Sequence, residues 1–297
     1  MSATLEWLQF VLAPQMINGL SIGVAVVLMA LGLTIIFGLL DVINMAHGEF
    51  YAIGAYLAVV LLGLGLSFWA ALVLAPLIMA VLGYLTERGL VQRVFHSRDR
   101  HTLTLLLTFG VAVVLEDLLK IVFGANPVRV ESPITGATEM VGLFFPNYRL
   151  FVMLFGGALI AAVWLLVFRT SLGAVVRAAA FDRHMSASLG VPVARVCAGT
   201  FAFGAALAAM AGVLLAPIYS VFPTMGRDFV LIAFSVVIIG GMGSIKGAVL
   251  AGLLLTQVQS LSSLFISPVW SDPLLFGIMV LVLMWRPQGL FGKLGHA

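Results

Sequence analysis

Hydrophobic positions in this chain fall in long unbroken blocks, without the strict alternation of a strand or the one-sided rhythm of a surface helix. The blocks run approximately Ile17–Leu40, Gly48–Leu66, Phe68–Leu85, Leu103–Phe123, Leu150–Phe168, Val196–Ala216, Phe229–Met242, Ala248–Phe265 and Leu274–Trp285. A helix that is apolar all round is surrounded by protein or lipid, and a crossing needs about 20 such residues. Phe229–Met242 and Leu274–Trp285 fall short of that and read as tilted helices, half-spans or parts of broken helices. The expected fold is therefore all-α, a polytopic integral membrane helix bundle of eight or nine transmembrane segments. It forms one domain over residues 1–297, because no polar stretch is long enough to fold separately.

Composition agrees with the pattern. Hydrophobic residues make up 62% and charged residues 9%, against about 25% charged in a soluble domain. The first Lys or Arg is Arg88, so the net charge of +3 reads as loop topology, and nothing supports a nucleic-acid patch. Cys197 is the only cysteine, which excludes an internal disulfide and a cysteine-cluster metal site. Residues Met1 to Ala13 contain Glu6 and no cation, unlike a secretory signal, so the first apolar block is expected to stay in the mature protein.

Charge bias sets an expected orientation. The Thr86–His101 loop carries Arg88, Arg93, Arg98 and Arg100 against Glu87 and Asp99, and Arg169–Arg195 carries four arginines against Asp182. Gly124–Arg149 and Pro217–Asp228 are balanced. The positive-inside rule puts the first two loops in the cytoplasm and the latter two outside. Arg286 and Lys293 place the C-terminus inside, and nine crossings would leave the N-terminus outside. Trp7, Trp69, Trp270 and Trp285 sit near block ends, where indoles favour the interface. Small-xxx-small pairs (Gly19/Gly23, Gly204/Ala208, Gly243/Gly247, Gly247/Ala251) predict close helix packing.

Three segments interrupt this plan. The first is a polar break between two apolar blocks, with Asn44, His47 and Glu49 bracketed by Gly48 and Gly54. Ionisable groups at membrane depth face protein, water or the interface, since the bilayer centre costs about 2.5–3.5 kcal/mol per charge on insertion scales. Two readings stand. One is a gate or helix break beside a translocation path; the other is a turn in which Asn44 and His47 satisfy backbone groups and Glu49 starts the next helix. The second segment is Gly173–Gly190. On a helix, Ala174, Ala178, Phe181, Met185 and Leu189 make one apolar stripe beside Arg177, His184 and Ser188, with glycines and Pro192 marking its ends. Such a helix either docks in a groove on another protein or lies flat on the inner leaflet. The third is the ending Trp285-Arg286-Pro287-Gln288-Gly289-Leu290-Phe291-Gly292.

Other candidates read as structural. Gly240-Gly-Met-Gly243-Ser-Ile-Lys246-Gly247 lacks the Gly-Lys-Ser/Thr order of a phosphate loop and predicts a tight turn. Glu116 and Lys120 form an i,i+4 pair, with Asp117 beside them, either as structural pairing or at an outer vestibule. Gln257 and Gln259 point to opposite sides of one helix, so at most one faces a central path.

Taken together, Gly32 to Tyr56, Gly173 to Val191 and Trp285 to Gly292 resemble the signatures of the branched-chain amino-acid permeases of ABC importers, the LivH type. The match runs in order along almost the whole chain. The resemblance implies a transmembrane permease subunit that is not an enzyme and carries no cofactor or metal. It implies a second permease subunit (a related distinct chain), two cytoplasmic ABC ATPase subunits and an extracytoplasmic solute-binding protein, with the complex in the cell inner membrane. It assigns ATPase coupling to Gly173, Arg177, Ala178, Phe181, Asp182, Met185, Leu189 and Gly190, and leaves Asn44, His47 and Glu49 as candidates for the path or gate. Branched-chain or other hydrophobic amino acids are the default solute; urea, amides and aromatic acids are carried by relatives with similar signatures. An autonomous secondary transporter would need a second ionisable break, and an intramembrane protease would need a nucleophile–base pair or metal ligands. The sequence offers none of these.

Overall fold

A computed structural model of the chain describes residues 7–94, 97, 99–140 and 143–292. Glu6, Arg98 and Lys293, which entered the charge pattern, lie outside the described residues. Each of the nine apolar blocks corresponds to a helix: α1 (Ala13–Leu40), α2 (His47–Gly63), α3 (Phe68–Thr86), α4 (Arg100–Phe123), α5 (Asn147–Arg169), α8 (Val193–Leu215), α9 (Met225–Gly240), α10 (Ile245–Ser262) and α11 (Ser271–Trp285). Two shorter helices, α6 (Ser171–Phe181) and α7 (Arg183–Ser188), lie between α5 and α8. Among the described residues, four helices are long and apolar enough to cross a membrane by themselves, at 10–40, 68–94, 147–169 and 193–215.

The chain is not purely helical. Ala137–Met140 (β1) and Leu143–Pro146 (β2) form an antiparallel hairpin, with Thr138 opposite Phe145 and Glu139 opposite Phe144. This corrects the all-α expectation. The connection that looked like a featureless balanced loop alternates sides: Phe145 is buried and Phe144 exposed, the period of a strand with one covered face. Pro146 closes β2 at a position where its missing N–H costs nothing.

Helix α1 is the axle of the bundle. It packs on α10, α8, α5 and α9, and from Val24 through Leu33 every side chain is buried, which explains its uniform apolarity. Glycines set the close approaches. A Cβ on Gly32 would lie 2.5 Å from the Gly204 carbonyl oxygen of α8, and one on Gly252 2.5 Å from Val27 of α1. Polar side chains join α1 to α10 at one end: Gln15 Nε2 donates to the Ser260 carbonyl (2.8 Å), Ser260 Oγ donates to the Gln15 carbonyl (2.7 Å) and Gln257 Nε2 donates to the Met16 carbonyl (2.9 Å). Gln257 is thereby used as interhelical glue. Nearby, Arg149 Nη1 bonds Asn18 Oδ1 and Tyr148 OH donates to the Leu214 carbonyl at 2.8 Å. This is the hairpin end of the bundle. At the opposite, basic end, Asp41 meets Arg100 at 3.5 Å and His101 at 3.6 Å.

The ending Arg286–Gly292 folds back on the α9–α10 turn. Leu290 N–H donates to the Ile239 carbonyl (2.8 Å) and Phe291 N–H to the Gly240 carbonyl (3.0 Å). Gly289, at φ 78°, lies so close to Gly241 that a Cβ would stand 2.6 Å from its Cα. Two glycine-rich motifs far apart in sequence thus form one contact, and glycine is required at both because backbone meets backbone.

Candidate functional site

The polar break after α1 is a re-entrant segment. Helix α1 stops when Asp41 takes a left-handed conformation, φ 53°, and residues 41–46 turn back into the bundle. Thr108 of α4 guides them: its Oγ accepts from Met45 N–H (3.2 Å) and donates to the Ile43 carbonyl (3.3 Å). Asn44, fully buried, accepts the Ala46 N–H on Oδ1 at 3.1 Å, a local turn that satisfies backbone the segment would otherwise strand. His47 Nε2 lies 3.0 Å from the Met29 carbonyl. A carbonyl only accepts, so Nε2 carries the proton, and Nδ1 has no partner among the described residues.

This geometry fixes depth. Met29 is eleven residues before Leu40 and Glu49 fourteen before Gly63, so at 1.5 Å per residue His47 lies about 16 Å from the basic end of α1 and Glu49 about 21 Å from the far end of α2. Helix α2 therefore starts near the middle of the bundle.

A second re-entry comes from the hairpin end. After α8, residues 216–224 pass Val128, exchanging two 2.8 Å backbone bonds with Val221, and α9 begins at Met225. The sequence reading placed Arg227 and Asp228 in an outer loop; both lie in the first turn of α9 instead. The two helix starts meet at Gly48 and Gly226, where a Cβ on either would collide with the other's backbone. One on Gly226 would also stand 2.6 Å from Glu49 Oε1. Arg227 reaches α4 and donates to Glu116 at 2.8 Å; Lys120 pairs with Glu116 at 2.7 Å and with Asp117 at 3.2 Å. The i,i+4 pairing expected from sequence is present, but Arg227 was missed. Its signal was an Arg-Asp pair abutting an apolar run too short to cross, which required the helix to start recessed.

The expected coupling helix is two helices. Asp182 adopts extended geometry and caps α7, its Oδ1 accepting Met185 N–H at 2.9 Å, while Thr170 caps α6 through Gly173 N–H at 3.1 Å. An aspartate in the middle of an amphipathic run served better as a cap than as helix interior. Gly173 does not mark an end; it lies within α6 against the carbonyls of Leu166 and Val167, where α5 turns into α6. Gly190, at φ 86°, does close α7. Arg177 bonds the Val167 carbonyl and stacks on Phe168. Arg183 bonds the Leu39 carbonyl; burial lowers its guanidinium pKa, as does Arg100, while Cys197 and Asp41 raise it. The apolar stripe is left uncovered: Ala174 and Ala178 are exposed, Phe181 is 92% exposed, Leu189 79% and Met185 61%. Between these helices and the bundle lies a cavity of about 1420 Å³, bordered by Asp41, Glu87, Arg100, Arg177, Arg183 and Lys246. Among the described residues no group of three or more His, Cys, Asp or Glu could hold a metal ion.

Residues 15–283 match the family model described as branched-chain amino acid transport system / permease component. The chain belongs to this family. It is 31% identical over 294 residues to the high-affinity branched-chain amino acid transport system permease protein LivH of Salmonella typhimurium, over 94% of this chain and 95% of that one. BraD of Pseudomonas aeruginosa, similarly named, gives the same figures. LivM of Salmonella typhimurium is 31% identical over 290 residues, covering 89% of this chain and 67% of that one. The family expected from the three signatures is thus the family found, and the chain is a multi-pass membrane protein of the transport-permease type.

Proposed function

We propose that this chain is one permease subunit of an ABC importer for branched-chain or similar hydrophobic amino acids, located in the cell inner membrane. It makes nine membrane passages, with the hairpin end outside and the basic end and C-terminus in the cytoplasm. The relatives fall under two permease names, LivH and LivM, which supports a second, related permease as its partner. Two cytoplasmic ATPases and an extracytoplasmic solute-binding protein complete the proposed complex.

One observation carries this reading: the stripe of Phe181, Met185 and Leu189 is exposed on short helices at the basic end. Large apolar groups gathered on a polar segment mark a docking surface. In the proposed mechanism an ATPase groove receives this stripe together with Ala178, and Gly173, Arg177, Asp182 and Gly190 keep α6 and α7 rigid against the bundle. Closure of the ATPases then moves the α5–α6 corner through Gly173 and the end of α1 through Arg183. Asn44, His47 and Glu49 form the inner break of the path, Asn44 and His47 holding the backbone turn and Glu49 facing the second helix start.

The experiment is purification of the tagged chain from solubilised native membrane, with mass spectrometry of its partners. Co-purification of an ABC ATPase, lost on Phe181→Asp, is the expected result. A homo-oligomer with no ATPase would overturn the reading in favour of a secondary transporter.

A further inference from the structure

Charges of both signs gather where the two re-entrant helices meet. Glu49 stands about 21 Å from the outer end of α2 by helix rise, and Arg227 is thirteen residues before the end of α9 at Gly240, or about 20 Å. Arg227 therefore lies at about mid-depth with Glu116 paired to it at 2.8 Å, while Lys120, one turn further along α4, lies nearer the hairpin end. Yet the side chains of Arg227 and Asp117 are each 60% exposed and that of Lys120 40%. Charged groups at that depth facing hydrocarbon would be costly, and such residues instead face the bundle interior or a water-filled cavity. Glu49 adds a second, independent observation: it is 3% exposed, and its Oε2 has no hydrogen-bond partner among the described residues. The starts of α2 and α9 meet at Gly48 and Gly226, so the positive ends of both helix dipoles converge on the same place.

We propose that Glu116, Asp117, Lys120 and Arg227, backed by the buried Glu49, line the solute route and form a site that reads a zwitterion. Arg227 and Lys120 take the α-carboxylate, Glu116 and Asp117 take the α-ammonium, and Val113, exposed one turn along α4, offers an apolar surface to the side chain. A neutral amide or a lone carboxylate would satisfy only part of this arrangement and leave the remaining charges as they are. The inference rests on the reading of the chain as an amino-acid permease.

The test uses the complete transporter, with its second permease, ATPases and binding protein, in proteoliposomes supplied with leucine. Glu116→Gln and Arg227→Gln each remove one charge-assisted hydrogen bond, so leucine uptake should fall about tenfold or more. Assembly of each variant is read by co-purification of its partner subunits. The double exchange Glu116→Arg with Arg227→Glu should not restore uptake. As a second measurement, Asp117→Cys in a Cys197→Ala background should react with a charged, membrane-impermeant thiol reagent, and loaded leucine should slow that reaction. An unreactive Asp117→Cys, restoration by the double exchange, or normal uptake in both glutamine variants would overturn the proposal. Where a glutamine variant fails to assemble, the cysteine reactivity decides. A wild-type complex that hydrolyses ATP but imports no leucine would instead refute the proposed function, whatever the labelling shows.

Discussion

The crossing of α2 and α9 at Gly48 and Gly226 yields a quantitative test of how the re-entrant helices are held. In Gly48→Ala the new Cβ would fall on the Gly226 carbonyl and 2.7 Å from Val230 Cβ. Carbon–carbon contacts settle at about 3.5–4.0 Å, and here one obstacle is backbone, so a rotamer change cannot relieve it. The helices must separate by roughly 1 Å, and such overpacking costs about 1–3 kcal/mol. Because the backbone cannot step aside, the cost lies in the upper part of that range, about 2–3 kcal/mol; replacing glycine within a helix returns up to about 1 kcal/mol, leaving a net loss of about 1–2 kcal/mol. Gly157 of α5 is the control, because its added Cβ meets nothing within 4 Å and only the helix gain remains. In detergent, followed by intrinsic tryptophan fluorescence on heating, Gly48→Ala should melt about 2–8 °C below wild type, at about 2–4 °C per kcal/mol. Gly157→Ala should melt at or slightly above it. A Gly48→Ala protein as stable as wild type would refute the backbone contact, and equal losses at both positions would show that the clash is not the cause.

Asn44→Ala strands the buried Ala46 N–H that Asn44 Oδ1 now accepts at 3.1 Å; a loss of about 1–3 kcal/mol should appear in the same melting assay. Tyr148→Phe removes the 2.8 Å bond to the Leu214 carbonyl and should cost about 1 kcal/mol, without changing partner co-purification. Gly289→Ala forces a side chain into a left-handed position 2.6 Å from Gly241. It should release the ending from the α9–α10 turn, read as faster hydrogen exchange at Leu290 and Phe291 while the main transition moves little.

The sequence by itself determined a mainly helical membrane bundle and where its nine apolar helices run. Long apolar blocks have one low-energy form in lipid, a helix with its backbone internally bonded, so nine blocks became nine helices with ends shifted by at most four residues. The three signatures likewise carried the family, because they are local strings. What local strings do not encode is which backbone lies against which. Gly48 and Gly226 are 178 positions apart, and only the packed bundle reveals that each is glycine because of the other. Likewise Gly289 is held to glycine by Gly241, and Gly241 by Gly292, and Arg227 looked like a balanced loop charge although α9 starts inside the bundle beside Glu116. Asp182 was read by helical periodicity, whereas its extended backbone and its bond to Met185 broke the coupling helix in two. Periodicity reports the faces of an element, and the tertiary structure alone decided their depth, their partners and the side of the amphipathic stripe left uncovered, because those follow from contacts between distant segments.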